Sequence, residues 1–577
     1  MNHRMSRWRR SILNRGAVAL SAALILAGLL VATSADAVQG AAPRPGVAAI
    51  ASAHPLATAA GLEVLRNGGN AFDAAVAVAA ALGVVEPTGS GLSGGGFFLL
   101  HRARDGLDIM VDARERAPGA ATRDMFLDAK GEPVARLSVS SALAAGIPGE
   151  PAGMALLAAK YGRLPVAASL APAIRLARDG FALTPRLHQG IGGLRERARE
   201  FPEIARNFFP GGAIPELGTV IRQPELAATL QALASNGLGS FYRGEFAQRI
   251  VAAVRAQGGI WTVKDLADYR VVERKPIVGQ YRGARIVSAS PPSSGGVALI
   301  EALNMLSQFD LTKLDAVTRR HLVIEVSRRM HRDRAIYLGD PDFVQVPVAR
   351  LTNVDYAAGL AASIHTAHAT PSASLPGLGA GADPGPQTTH FSVIDADGNR
   401  VAATLTLNFG FGSGRIITGT GMFLNDEMDD FSMKPGVPNG YGLVGQEANA
   451  IAPGKRMLSS MTPSFIESGD RVMVVGSPGG SYIIGMVLQA TLDFLDGHDA
   501  REIVSAPRIH HQYLPDVVQI EPGALSDAER SGLQAMGHTI QDGRRQWGNL
   551  QVVIWNRKTH VMDAAADPRG DGTAQVQ

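Results

Sequence analysis

Thr388 stands at an unusual junction. Residues 370–387 are Pro, Ser, Gly and Ala with almost no apolar bulk, and a strand pattern begins at once in Thr388-Thr389-His390-Phe391-Ser392-Val393-Ile394. Phe391 and Val393 share one face. Val401, Ala403 and Leu405 alternate on a second strand, and Asp397-Gly398-Asn399 between the two is a hairpin signal. A threonine hydroxyl is a poor nucleophile unless a base takes its proton. An N-terminal threonine carries that base itself, a free α-amine with a pKa near ~8. A flexible, exposed run ending at a strand-opening threonine is what a chain needs if Thr388 is to become a new N-terminus. Thr388 Oγ would attack the Gln387 carbonyl, and water would cleave the resulting ester. By itself the hairpin reads first as an ordinary surface loop feeding a strand, and the rest of the chain overturns that reading.

Several elements stand ready to surround such a residue. Residues 52–69 read as a helix with Pro55 in its first turn and Asn67-Gly68-Gly69 as its stop. Residues 70–84 read as a second helix, so rich in Ala and Val that it must be buried. The loop Glu86-Pro87-Thr88-Gly89-Ser90-Gly91-Leu92-Ser93-Gly94-Gly95-Gly96 follows. No Gly-Lys-Ser/Thr closes it, which excludes a phosphate-binding P-loop. Its Gly91-x-Ser93-x-Gly95 matches a nucleophile elbow in letters only, because an elbow needs a strand before and a helix after. Gly-rich backbone instead suits close packing against a neighbouring strand. Arg114 follows a strand in Ile109-Met110-Val111-Asp112-Ala113-Arg114. Residues 140–275 are mostly helical, with stops at Gly149-Glu150-Pro151, Gly162 and Gly237, and residues 310–338 form a long helical region. Ser293 and Ser294 shape a turn and cap a helix from Val297. Residues 434–445 are rich in turn formers around one aromatic, Tyr441, as a mobile lid is. Residues 471–475 are a buried-type strand running into Gly476-Ser477-Pro478-Gly479-Gly480-Ser481. The unhindered amides of Gly479 and Gly480 can both point at one oxygen, as an oxyanion hole requires. His510 and His511 are half a metal site at most, with no third ligand at the right spacing.

Composition narrows the field. The 577 residues are 46% hydrophobic and 19% charged, which is globular. Arg4, Arg7, Arg9, Arg10 and Arg15 precede an apolar run from 16 to 32, and Ala35-Asp36-Ala37 supplies a cleavage site, so residues 1–37 read as a signal peptide. This leader carries five Arg and one Asp, and its removal takes the formal charge from +3 to about −1. The basic balance therefore calls for no nucleic acid and no membrane beyond the signal peptide. There is no Cys, which excludes thiol nucleophiles, thiolate metal ligands and disulfides and leaves Ser or Thr as the covalent nucleophile.

Six ordered motifs then carry a resemblance: Thr388-Thr389-His390-Phe391-Ser392-Val393; Thr404-Leu405-Thr406-Leu407-Asn408; Leu424-Asn425-Asp426-Glu427-Met428-Asp429-Asp430-Phe431; Leu458-Ser459-Ser460-Met461-Thr462-Pro463; Gly476-Ser477-Pro478-Gly479-Gly480-Ser481; and Asp567-Pro568-Arg569-Gly570-Asp571-Gly572. With them the chain resembles the γ-glutamyltransferases, or glutathione hydrolases, of the N-terminal-nucleophile class, over nearly everything after about residue 45. The resemblance implies a four-layer αββα sandwich and an exported zymogen, periplasmic or secreted. It implies autocatalytic cleavage between Gln387 and Thr388 into a large subunit (38–387, with 370–387 a flexible pre-cleavage segment) and a small catalytic subunit (388–577), which stay together as a heterodimer. Thr388 becomes the nucleophile, Thr406 orients it, and Gly479 and Gly480 form the oxyanion hole. Arg114, Ser459 and Ser460 hold the substrate α-carboxylate; Asn408, Glu427 and Asp430 hold the α-ammonium; Tyr441 gates the lid. Donors are glutathione and other γ-glutamyl amides, acceptors are water, amino acids or dipeptides, and no cofactor or metal takes part. Two departures stand out: Ser93 where the family has Gly, and Glu427 where some members have Gln. The alternatives are a related cephalosporin or glutaryl acylase and a non-catalytic exported binding protein on the same fold.

Overall fold

The computed structural model describes residues 43–375, 388–543 and 546–577. The expected leader, Gln387 and most of the pre-cleavage stretch lie outside them. Two sheets lie face to face between two layers of helices, the four-layer αββα sandwich of the N-terminal nucleophile hydrolases.

The strands of these sheets, in chain order, are β1 (Ala49–Ser52), β2 (Gly95–Arg102), β3 (Leu107–Ala113), β4 (Val272–Arg274), β5 (Ile277–Tyr281), β6 (Ala284–Ser288), β7 (Thr389–Ile394), β8 (Arg400–Thr406), β9 (Ser464–Ser468), β10 (Arg471–Gly476), β11 (Gln551–Asn556), β12 (Met562–Ala566) and β13 (Thr573–Val576). The first sheet has the order β13-β1-β7-β8-β2-β3-β4 and the second β12-β11-β10-β9-β6-β5. Every pairing in them is antiparallel. Both sheets combine strands from before and after Thr388.

The outer layer on the first sheet includes α1 (Pro55–Arg66), α2 (Ala71–Val85) and α3 (Val166–Asp179). Helix α2 is buried over almost its whole length, as its composition requires, and a capping box between Asn70 and Asp73 starts it. Burying a side chain the size of Phe72 or Leu82 contributes about 1.5–3 kcal/mol. The layer on the second sheet includes α4 (Gly295–Leu306), α5 (Ala316–Tyr337) and α6 (Ile483–Leu495).

The expected hairpin is β7–β8. Asp395 Oδ1 accepts the N–H groups of Asp397 (3.0 Å) and Asn399 (2.9 Å), and Gly398 takes the left-handed backbone, with φ of 90°, that closes the turn. The Gly-rich loop follows a helix and enters a strand, so no elbow forms. Its glycines do what close packing asks of them. A Cβ on Gly94 would stand 2.1 Å from the Thr406 carbonyl oxygen, and one on Gly96 2.2 Å from that of Thr404.

Three expectations change. Gly149-Glu150-Pro151 does not stop a helix; it opens one, Glu150–Leu156, because proline fits the first turn, where its missing N–H has no partner to lose. The helix expected from Val297 starts at Gly295; Ser293 shapes the turn into it, accepting the Gly295 N–H (3.1 Å) while donating to the Met461 carbonyl, whereas Ser294 makes no side-chain cap and donates to the Ser459 carbonyl. Part of the stretch read as flexible is tethered: Thr370 N–H donates to Glu325 (3.0 Å), Ser372 N–H donates to Asp516 (2.7 Å), and Arg328 donates to the Ser372 hydroxyl (2.6 Å). Among the described residues, no helix is long and apolar enough to cross a membrane.

Candidate active site

The register of β7 on β8 sets the first contact. Leu405 pairs with Thr389, so the residues one step beyond, Thr388 and Thr406, come opposite one another. Their hydroxyl oxygens are 3.4 Å apart. Thr406 Oγ1 also accepts the Asn408 N–H at 2.8 Å, so its own proton is available to Thr388. That bond needs Asn408 in a left-handed turn, with φ of 79°.

Around this pair one cavity is lined by Arg114, Thr388, Thr406, Asn408, Glu427, Asp430, Tyr441, Ser459, Ser460 and Gly480. Every expected site residue among the described ones lies on it except Gly479, the immediate neighbour of Gly480. Gln387 lies outside the described residues. Gly479 and Gly480 have φ of 143° and 55°, backbone that L side chains rarely adopt, in the turn between β10 and α6.

Arg114, just past the end of β3, is wholly buried. Its guanidinium pairs with both Glu427 and Asp430 and donates to the Met457 carbonyl (3.3 Å). Cation and carboxylates thus face each other here. Burial raises the pKa of Glu427 to about 7 against the pull of Arg114, and burial also raises Asp430.

The lid is closed. The Tyr441 hydroxyl donates to the Asn408 carbonyl (2.6 Å), and its ring stacks on Phe409 with centroids 4.6 Å apart. A Cβ on Gly480 would stand 2.5 Å from that ring. The cavity beside it holds about 20 Å³, roughly one water.

Three contributors escaped the sequence reading. Arg334 on α5 donates to Ser460 Oγ (3.0 Å) and Ser294 Oγ (3.0 Å), and burial lowers its pKa to about 10. Glu115 lies beside Arg114 at 3.6 Å, where burial holds its carboxyl well above the usual range. Arg334, drawn to Asp430, is the second cation beside these carboxylates. Asn425 accepts the Glu427 N–H (3.1 Å) and donates to the carbonyls of Ser93 (2.6 Å) and Gly146 (2.9 Å), which fixes the acidic segment to the Gly-rich loop. Asn425 and Glu115 stand inside motifs the sequence offers, but without a role; Arg334 stands in none. The helix carrying Arg334 has a charged sequence that reads as solvated.

His510 bonds to Gln512 and His511 to Asp516. Ligand atoms of His321, Glu325 and His538 do converge within 4.8 Å. Glu325, however, is engaged by Arg329 (2.5 Å) and the Thr370 N–H, an environment that repels a cation.

The family model described as Gamma-glutamyltranspeptidase matches residues 57–577. The glutathione hydrolase proenzyme of Escherichia coli (strain K12) is 44% identical over 526 residues, 90% of each chain. That of Pseudomonas aeruginosa is 42% identical over 523 residues, 89% of this chain and 92% of the other. The crystal structure of cephalosporin acylase from Bacillus halodurans superposes with a TM-score of 0.80 at 31% identity, covering 92% of this chain and 96% of the other. By the family match and by identity at this length, the chain belongs to the gamma-glutamyltranspeptidase family.

Proposed function

We propose that this protein is a glutathione hydrolase and γ-glutamyltransferase made as a proenzyme that cuts itself between Gln387 and Thr388. The observation that carries the reading is the meeting of Thr388, Gly480, Arg114 and Asp430 in one cavity. In the cleaved enzyme the Thr388 α-amine takes the hydroxyl proton as Oγ1 attacks the γ-carbonyl of the donor. Thr406 donates to that oxygen and holds it on line. The Gly479 and Gly480 amides stabilise the oxyanion, the amine leaves with the proton, and a γ-glutamyl ester remains on Thr388. Water or an acceptor amine resolves it.

Specificity comes from the cluster under the lid. The donor α-carboxylate displaces Glu427 and Asp430 from the Arg114 fork and takes the Ser459 and Ser460 hydroxyls. The released carboxylates, with Asn408, take the α-ammonium. Exchanging one set of charge-assisted bonds for another spares the cost of stranding a buried charge.

Mass spectrometry of the purified protein tests the first step: a fragment beginning at Thr388 is expected, and Thr388→Ala should remain one chain without turnover. A single uncut chain that still hydrolyses γ-glutamyl-p-nitroanilide would sink the proposal. The superposition on a cephalosporin acylase supports a second reading, hydrolysis of a dicarboxylic acyl amide. The Arg114 fork between Glu427 and Asp430, which offers both signs of charge to a zwitterion, favours the first. Comparing γ-glutamyl-p-nitroanilide with a glutaryl amide decides, since a glutaryl group has no ammonium for Asp430 to hold.

A further inference from the structure

Arg334 is a buried cation that makes no ion pair among the described residues. Its guanidinium bonds to neutral groups instead: Nη2 donates to Ser460 Oγ and Nε to Ser294 Oγ, each at 3.0 Å. Arg114 is the contrast in the same site, with two carboxylates on its fork. Burial lowers the pKa of Arg334 only to about 10, so it is charged at neutral pH, and Asp430 attracts it through space while Arg114 repels it. A charge buried without a counter-ion is costly. The cost is offset when an anion arrives beside it, and in the proposed binding mode one does: the donor α-carboxylate at Ser459 and Ser460.

Arg334 stands on α5 behind the cavity, whose lining includes Ser459 and Ser460 but not Arg334 itself. Its route to the donor therefore runs through Ser460. A hydroxyl has one proton and two lone pairs. With Arg334 donating to its oxygen, Ser460 has its own proton to give, and a hydroxyl polarised by a cation makes a stronger bond to an anion. The second bond fixes the guanidinium. Ser294 Oγ accepts from Arg334 and donates to the Ser459 carbonyl (2.6 Å), and the Ser294 N–H donates to the same carbonyl (2.8 Å). Arg334 and the Ser459-Ser460 pair are thus held in one frame.

We infer that Arg334 is a positioning residue: it aims the Ser460 hydroxyl at the donor α-carboxylate and supplies the charge that makes the site select an anion there over a neutral group. The inference rests on the proposed function and deepens it.

Two donors separate this role from a purely structural one: γ-glutamyl-p-nitroanilide and its α-carboxamide analogue, which keeps the ammonium and replaces the carboxylate with a neutral amide. The quantity read is the ratio of their kcat/KM values, which does not depend on the fraction of active enzyme. The unmodified protein should favour the carboxylate about 10²-fold or more. Arg334→Gln should reduce that ratio about tenfold or more, mainly through KM for γ-glutamyl-p-nitroanilide, and Arg334→Lys, which keeps a cation, should recover most of it. Where Arg334→Gln does not mature, Ser294→Ala frees the guanidinium from its second hydroxyl without touching the cavity lining, and should reduce the ratio about threefold or more. Equal use of both donors by the unmodified protein overturns the inference and leaves the proposed function standing. So does a ratio unchanged in folded Arg334→Gln or, in its place, in Ser294→Ala. An unmodified protein that hydrolyses neither donor overturns the proposed function, and this inference with it.

Discussion

Thr406 accepts one hydrogen bond, from Asn408, and so has one proton to give. Thr406→Val keeps the shape and removes that proton. Turnover should fall about 10²-fold or more, while Thr406→Ser restores most of it, as general-acid contributions of this kind predict. In the proposed mechanism Glu427 sets a pH limit. Buried, with its pKa pushed up to about 7, it is neutral below that value and attracts no ammonium. The sign follows: kcat/KM rises with pH through about 7 as the carboxylate forms. The Thr388 α-amine, with a pKa near ~8, must also lose its proton. On the acid side the log–log slope of kcat/KM against pH should approach about 2, and Glu427→Gln should bring it to about 1. An unchanged slope in that variant would mean Glu427 does not titrate at the site.

Among the elements, the Gly-rich loop is a spacer for the catalytic strand. A side chain at Gly94 meets the Thr406 carbonyl at 2.1 Å, and backbone cannot give way as a flexible side chain can. Gly94→Ala should cost about 1–3 kcal/mol in thermal or denaturant unfolding, the usual range for overpacking, and should lower turnover by displacing Thr406. Gly91→Ala is the comparison on the same loop: the nearest atom to its Cβ is a Leu407 methyl at 3.9 Å, and its cost should stay well under 1 kcal/mol. Residues 434–445, which we propose form a lid, are held by the bond from Tyr441 to Asn408 and the ring stack on Phe409.

The whole molecule answers how a cut chain stays one particle. In the first sheet β1 lies between β13 and β7, and β2 pairs with β8; in the second, β6 pairs with β9. Each of these neighbours comes from opposite sides of Thr388. Separating the pieces would break ladders in both sheets and expose both cores. The cleaved protein should therefore run as one species in gel filtration and show a single unfolding transition, with neither piece released below it. Two transitions, or release of one piece in mild denaturant, would contradict this.

Local order along the chain determined a good deal. The period and composition of α2, the turn residues of the β7–β8 hairpin, the glycine pair before α6 and the absence of cysteine depend only on neighbouring residues, and they point to the nucleophile and its class without coordinates. The tertiary structure decided the rest. Arg114 meets Glu427 and Asp430 across more than 300 residues of chain. Arg334 is buried on a helix whose charges suggest water, and residues 370–375 are held down by Glu325, Arg328 and Asp516 although their composition suggests a loose loop. The physical reason is common to all three. A charged or polar residue is legible in sequence only as something that must be solvated or paired, and which of the two happens is settled by partners that the fold, and nothing local, brings within reach.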